Sequence, residues 1–265
     1  MPTDLIDIGA NLTDHAFSQD VEAVLQRARD AGVAQIIVTG TTVLDSQKAA
    51  DLADLTPGYC FSTVGVHPHY AKACEAKTLD DLGVLAERTG VVAIGECGLD
   101  FNRNLSPPET QIEWFEAQLG LAAELNLPVF LHQRDAHDVF LHILQRWRAR
   151  LVGGVVHCFT GNPSALMDYL ALDLFIGVTG WVCDERRAQD LQAAVKHIPL
   201  NRLMLETDAP YLLPRDLRPK PKTRRNEPMH LPHICQAVAH YRDEAVDLVA
   251  AQSTASARCL FNLGE

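Results

Sequence analysis

Short apolar runs rich in β-branched residues alternate with longer amphipathic stretches along the whole chain. The runs occupy residues 5–8, 34–39, 61–66, 91–95, 127–131, 154–156, 174–178 and 202–205, each bounded by Gly, Pro or a polar cluster, and each predicts a strand. Between them apolar residues recur at i, i+3 and i+4, as in Val21, Val24, Leu25 and Ala28, or Phe115, Leu119 and Ala122, which puts them on one helical face. Nearly continuous apolar strands imply burial on both faces, the condition of a parallel sheet covered by helices. Eight strand–helix units therefore predict an α/β protein of the TIM (β/α)8 barrel class, with an open doubly wound sheet as the alternative. No break in composition marks a second domain, so residues 1–265 are expected to form one. The Pro-rich stretch 214–228 reads as a long loop after the eighth strand, followed by helices at 232–241 and 244–250 and a final turn at 255–263.

Composition narrows the class. Of 265 residues, 47% are apolar and 22% charged, which excludes a disordered or low-complexity chain. No apolar run approaches the roughly 20 residues of a membrane helix. The first basic residue is Arg27, so the basic start of a secretory signal is missing and a cytoplasmic protein away from membranes is expected. Seven cysteines with no C-x-x-C pair fit a reducing compartment. The formal charge of −11 argues against nucleic acid as a partner for the molecule as a whole, but residues 215–225 hold six basic residues against one acid, Asp216.

In a barrel of this class the chemistry sits at the C-terminal strand ends. There the chain offers Asp7 and Asn11, His67 and His69, Glu96 and Asp100, His132 and Arg134, His157, and Glu206 and Asp208. One histidine at a strand end is ordinarily a hydrogen-bonded core residue. Glu96, His132, His157 and Asp208 together are harder to accommodate, because four ionisable groups ending apolar strands are costly unless something neutralises them. A shared divalent cation would do so. Two imidazoles favour zinc or manganese, and two carboxylates with open water positions also suit magnesium. Water at such a site becomes a hydrolytic nucleophile, with Asp208 as ligand and general base. His67 can offer a proton or hydrogen bond to an anionic substrate, whereas His69 reads as a solvated turn residue. His230 and His233 fit helix capping around Pro232. Cys97 and Cys158 read as small buried hydrophobes.

The basic loop bears on substrate class. Most charge runs are solvated surface, but this one follows Asp208 directly, where Arg215, Arg218, Lys220, Lys222, Arg224 and Arg225 can hold the phosphates of a strand. Tyr211, Phe101 and Trp181 lie just past strand ends, either to stack on unpaired bases or to pack the rim. Phosphate-loop, dinucleotide-turn and nucleophile-elbow motifs are absent.

Seven segments, in order, resemble the TatD family of metal-dependent deoxyribonucleases. They are Asp7-Ile8-Gly9-Ala10-Asn11-Leu12-Thr13, Gly65-Val66-His67-Pro68-His69, Ala93-Ile94-Gly95-Glu96-Cys97-Gly98-Leu99-Asp100, His132-Gln133-Arg134-Asp135-Ala136, His157-Cys158-Phe159-Thr160-Gly161, Glu206-Thr207-Asp208-Ala209-Pro210-Tyr211-Leu212 and Arg225-Asn226-Glu227-Pro228. As a set they are specific. The resemblance implies a TIM-barrel hydrolase of phosphodiesters with Glu96, His132, His157 and Asp208 as metal ligands. It also implies a magnesium-dependent 3′-to-5′ exonuclease of single-stranded DNA and RNA, linked to DNA repair. Many members open with a His-x-His pair where this chain has Gly9 and Asn11. The expectation is thus one firmly held ion on His132, His157 and Glu96 and a labile second site near Asp7 and Asn11. Gln133 also departs from the family pattern.

The reading is a metal-dependent nuclease, acting as a monomer, in which Asp208 orients the attacking water, His67 offsets phosphoryl charge, and Arg134, Tyr211 and the loop cations hold the strand. Two other readings stay open: a small-molecule amidohydrolase or deacylase on the same ligands, and a noncatalytic nucleic-acid binder.

Overall fold

The computed structural model describes residues 4–264. Its strands are β1 (Leu5–Ala10), β2 (Val33–Val38), β3 (Cys60–Val64), β4 (Val91–Asp100), β5 (Val129–Arg134), β6 (Gly154–Val156), β7 (Phe175–Val178) and β8 (Leu203–Leu205). Between and after them run α1 (Val21–Asp30), α2 (Val43–Leu55), α3 (Thr78–Ala86), α4 (Pro108–Leu125), α5 (His137–Trp147), α6 (Pro163–Ala171), α7 (Gln189–Val195), α8 (Leu231–Arg242) and α9 (Val246–Phe261). The strands follow one another in sequence order in a single sheet, which with the alternating helices is the TIM (β/α)8 class. Among the described residues no helix is long and apolar enough to cross a membrane.

By packing, the chain divides into two compact units. One comprises Val38–His157 and Asp168–Leu174. The other holds the described residues through Ile37, with Cys158–Met167 and everything from Phe175 onward.

In the first unit β3, β4, β5 and β6 pair in parallel. Pairing of β4 with β5 advances three residues against two between Ile94 and Cys97, so a bulge falls on Gly95 and Glu96. The two backbones come close there. A Cβ on Gly95 would lie 2.2 Å from the Phe130 carbonyl oxygen, and one on Gly98 would lie 1.9 Å from that of His132. Both glycines have positive φ, 141° and 144°. Only glycine meets both demands. The outer face of this sheet is covered by α4, whose buried Phe115 stacks on Phe140 of α5 with ring centroids 5.2 Å apart.

Two buried glutamines of α4 brace the strand ends. Gln118 accepts from the amide of Val66 (2.7 Å) and donates to its carbonyl (3.1 Å), while Gln111 accepts from the amide of Asp100 (2.8 Å) and donates to the Ser106 carbonyl (2.7 Å). Loop ends that leave a sheet keep orphan backbone groups, and these side chains satisfy them.

The second unit brings β7 beside β8 and packs α9 on β1 and β8. A single bridge, Ala10 to Ala209, joins the end of β1 to the residues after β8.

Two of the differences from the sequence expectation, at β5 and α9, have a local cause. β5 starts at Val129 rather than 127 because Pro128 has no N–H, and the Leu127 amide closes α4 on the Ala122 carbonyl. The expected helix at 244–250 and turn at 255–263 are one continuous α9. Its polar Ser253, Thr254 and Ser256 interrupt the apolar period yet are buried, their hydroxyls donating to the carbonyls of Ala250, Asp4 and Leu200.

The close approach at β4 predicts a contrast between two glycine substitutions. Gly98→Ala must displace backbone and is expected to cost about 3 kcal/mol or more. Gly58→Ala also sits at positive φ (78°) but meets nothing within 4 Å, so about 1 kcal/mol is expected. Urea unfolding of both variants checks this; equal losses would remove the steric argument.

Candidate active site

Bulging of β4 carries Glu96 into the first unit's cluster of histidines. Its Oε1 lies 2.7 Å from Nε2 of His157, 2.9 Å from Nδ1 of His132 and 3.3 Å from Nε2 of His67. Glu96, His67 and His157 are buried, and the His132 side chain is 17% exposed. A carboxylate oxygen offers about two lone-pair directions, so three converging imidazole nitrogens exceed what hydrogen bonding can satisfy. A cation among these groups removes that excess. The donor set of one carboxylate and several imidazoles suits a divalent transition metal and tolerates magnesium. Nε2 of His132 is moreover buried and unsatisfied, approaching Asp100 Oδ2 only to 3.4 Å. These residues fit a metal.

The imidazoles are not equivalent. The His69 amide donates to Nδ1 of His67 (3.1 Å), and a backbone N–H can only donate, so a neutral His67 carries its proton on Nε2. Burial pushes the His67 pKa down to about 4, against the pull of Glu96, which keeps the ring neutral. His67 is thus a hydrogen-bond donor, while Glu96, His132 and His157 are the ligand candidates. For His132, burial is outweighed by the facing Asp100 and Glu96 carboxylates, and its pKa rises. Burial would raise Glu96, but His157, His67 and His132 together hold it well below its ordinary value. The His132 ring stands between the two carboxylates, with Nδ1 toward Glu96 and Nε2 toward Asp100. The Phe130 ring lies against His157 with centroids 4.5 Å apart, fixing its plane.

Sequence reasoning missed the role of His69 and gave none to Asp100. Nε2 of His69 lies 2.8 Å from Asp100 Oδ2, and Asp100 Oδ1 accepts from the Arg103 amide (2.8 Å). Asp100 therefore bonds His69 and faces the unbonded Nε2 of His132 at 3.4 Å, the position of a carboxylate behind a ligand histidine. The signal was available in Gln111 and Gln118, polar residues at the apolar spacing of α4. Burial pushes the Cys97 thiol up, as an inert small hydrophobe requires. Arg134 ends β5 and is exposed.

In the second unit Asn11 Nδ2 donates to Asp208 Oδ1 (2.9 Å) and the Asp208 amide donates to the Gly9 carbonyl (2.8 Å), so the end of β1 orients Asp208. Asp7 is fully buried. Its oxygens accept from the Thr207 amide (2.9 Å), the Thr207 hydroxyl (2.5 Å) and the Gly9 amide (3.3 Å), yet burial still pushes its pKa up to about 8. Glu206 accepts from the Cys158 amide.

The basic loop is anchored at its C-terminal end. Asn226 is buried, donating to the Thr207 carbonyl (2.9 Å) and accepting from the Glu227 amide (3.0 Å), with His230 Nδ1 at 2.9 Å. Arg225 pairs with Asp20 (2.8 Å) and Glu227 (2.7 Å), and Arg27 pairs with Glu227 through Nε (2.8 Å). Arg225 is thus committed to the anchor, whereas Arg215, Arg218, Lys220, Lys222 and Arg224 are exposed. Tyr211, 52% exposed, donates its hydroxyl to Asp14 (3.0 Å), and Arg187 covers the Trp181 ring at 4.4 Å.

Comparison with known proteins places the chain in a family. The sequence model of the family described as TatD related DNase matches residues 6–262. A protein of Pantoea sp. (strain At-9b) named 3′-5′ ssDNA/RNA exonuclease TatD is 58% identical over 259 residues, 98% of this chain and all of the relative. A protein of the same name from Yersinia pseudotuberculosis is 54% identical over the same length. Among solved structures, YJJV, a TatD homologue of Escherichia coli K12, superposes with a TM-score of 0.89 at 31% identity and 98% coverage of both chains. A TatD family hydrolase of Entamoeba histolytica gives 0.88 at 28% identity over the whole of both chains. Fold and donor set define a hydrolase of the metal-dependent (β/α)8 class. Within that class, the chain belongs to the TatD-related DNase family.

The loop anchor predicts an acid response. The hydrogen bond from Arg225 lowers the pKa of Asp20 from its ordinary 3.8 to about 2. A depressed carboxylate pKa stabilises the fold above about pH 4 and loses that contribution as the pH falls toward 2. In urea unfolding the parent should therefore exceed Asp20→Asn in stability at about pH 6, and the gap should close toward about pH 2. A gap that stays constant would contradict the pairing.

Proposed function

We propose that this chain is a metal-dependent 3′-to-5′ exonuclease of single-stranded DNA and RNA. The observation that carries the reading is the convergence of His132 and His157 on one buried oxygen of Glu96. The names of the relatives supply polarity and substrate. Glu96, His132 and His157 would hold a divalent cation, magnesium in the cell, with manganese or zinc as substitutes; Asp208 is the fourth ligand, and Asp7 and Asn11 lie at a weaker second position. When bound, the ion supplies Lewis acidity toward a phosphoryl oxygen and a nucleophilic water. Asp208, its Oδ1 held by Asn11, would orient the attacking water and accept its proton; as the water oxygen bonds to phosphorus the P–O3′ bond breaks, releasing a nucleoside 5′-monophosphate and a 3′-hydroxyl that takes its proton from solvent. His67 donates its Nε2 proton as a hydrogen bond to the phosphoryl oxygen on which charge grows. Asp100 steadies His132. Arg134, Tyr211 and the exposed loop cations hold the strand by its phosphates and terminal bases, with Arg225 setting the loop from below. We place this activity in the cytoplasm, in DNA repair or turnover, with the monomer as the working form.

The test uses an end-labelled single-stranded oligonucleotide and chelated protein given magnesium, manganese or zinc separately. A ladder shortening from the 3′ end, only with metal, is expected, and His132→Ala or Asp208→Asn should slow it by about 100-fold or more. An intact oligonucleotide with every metal, or an unchanged ladder in both variants, would overturn the proposal. The loop gives a second check. Neutralising Lys220, Lys222 and Arg224 together should flatten the log–log salt dependence by about 0.7 per cation removed. A small uncharged ester or amide substrate, the choice of an amidohydrolase, would be unaffected.

A further inference from the structure

Three side chains unrelated to the Glu96 cluster meet where the basic loop begins. Cys183 closes the 3-10 turn Gly180–Cys183 after β7, Asp216 is the acid of the basic stretch, and His233 lies in the first turn of α8. The thiol sulfur, a carboxylate oxygen and a ring nitrogen all lie within 4.8 Å of one another. Nε2 of His233 is 2.7 Å from Asp216 Oδ1. Cys183 is 3% exposed, while the His233 and Asp216 side chains are 29% and 42% exposed, so the trio is closed on the thiol side and open to water on the other.

Capping accounts for His230, which bonds Asn226, but not for His233, which turns to the loop. An Asp–His pair alone is an ordinary surface contact; here the same carboxylate also meets the Cys183 thiol, so three donor groups of different chemistry converge. Three arginines of these segments are drawn elsewhere: Arg186, Arg187 and Arg215 all lie against Asp184, at 3.3, 2.9 and 3.9 Å. Thiolate, imidazole and carboxylate form the mixed set that binds zinc, and the soft sulfur discriminates against magnesium. Ligand atoms around a tetrahedral zinc stand about 3.5 Å apart, so a small rotation of the loop-borne Asp216 closes the site.

We infer that Cys183, Asp216 and His233 form a zinc site that fastens the basic loop to the turn after β7 and to α8. Water completes the tetrahedron, and the cysteine proton is released on binding. With Asn226 and Arg225 holding the other end, the loop is then pinned at both sides of Arg218, Lys220, Lys222 and Arg224. This is independent of the nuclease reading, since it concerns other ligands and another metal.

Metal-free full-length protein titrated with cobalt should show a thiolate-to-metal band in the near ultraviolet. Equilibrium dialysis against zinc should show Cys183→Ser losing the band and one equivalent of metal. His233→Ala reads the same site without touching a buried position and should weaken zinc binding at least about tenfold. Zinc, but not magnesium, should slow tryptic cleavage in the loop of the parent, and of neither variant. Absence of the band in the parent, or a band and stoichiometry unchanged in both variants, would overturn the site and leave a hydrogen-bonded trio only.

Discussion

A carboxylate removed from water keeps its charge only where opposite charge or donors surround it, and Glu96 is held to that condition by three imidazoles. Much of the first unit follows. The bulge in β4 that carries Glu96 to them brings β4 and β5 so close that Gly95 and Gly98 admit no side chain. The histidines must then be held without slack. Phe130 fixes one ring, the His69 amide fixes the proton on another, and Asp100 backs the third. Asp100 in turn depends on Gln111, so the chain of constraint runs from a helix on the outside of the sheet to the acid at its centre.

The strand and helix alternation was legible because the apolar runs are continuous and the helical faces clean, and seven of the eight strands begin within a residue of their expected start. What the pattern obscured lies where polar groups are buried with dedicated partners. β4 extends to Asp100, past the end of its apolar run, because Glu96, Gly98 and Asp100 are buried strand residues whose polarity looks like a loop. The serines and threonine inside α9 hid its continuity in the same way. At the site, residue types at strand ends pointed to Glu96, His132, His157 and His67. The sequence could not say that Asp100 and His69 form a second layer, since a surface turn and a buried hydrogen bond use the same letters.

The basic loop shows how a local charge pattern divides by role. Two of its charged residues serve geometry: Asp216 faces His233, and Arg225 is spent on Asp20 and Glu227. Arg218, Lys220, Lys222 and Arg224 between them are exposed, on a protein whose formal charge is −11. An acidic body repels polyanions, and screening confines the opposing field of these four cations to short range.

The split of the chain into its two units bears on how the protein is made. Glu96, His67, His132 and His157 all fall within one nearly uninterrupted stretch, whereas the other unit joins β1 to β8 and α9, the two extremes of the polypeptide. On the ribosome the histidine-bearing part is complete in sequence while the segment carrying Asp208 is still being translated, and β1, although β2 follows it at once, must wait for β8 and α9 before the packing of its own unit is complete. The residues of the Glu96 cluster are therefore all synthesised before Asp208 and α9 exist, and the full set is present only near the release of the chain.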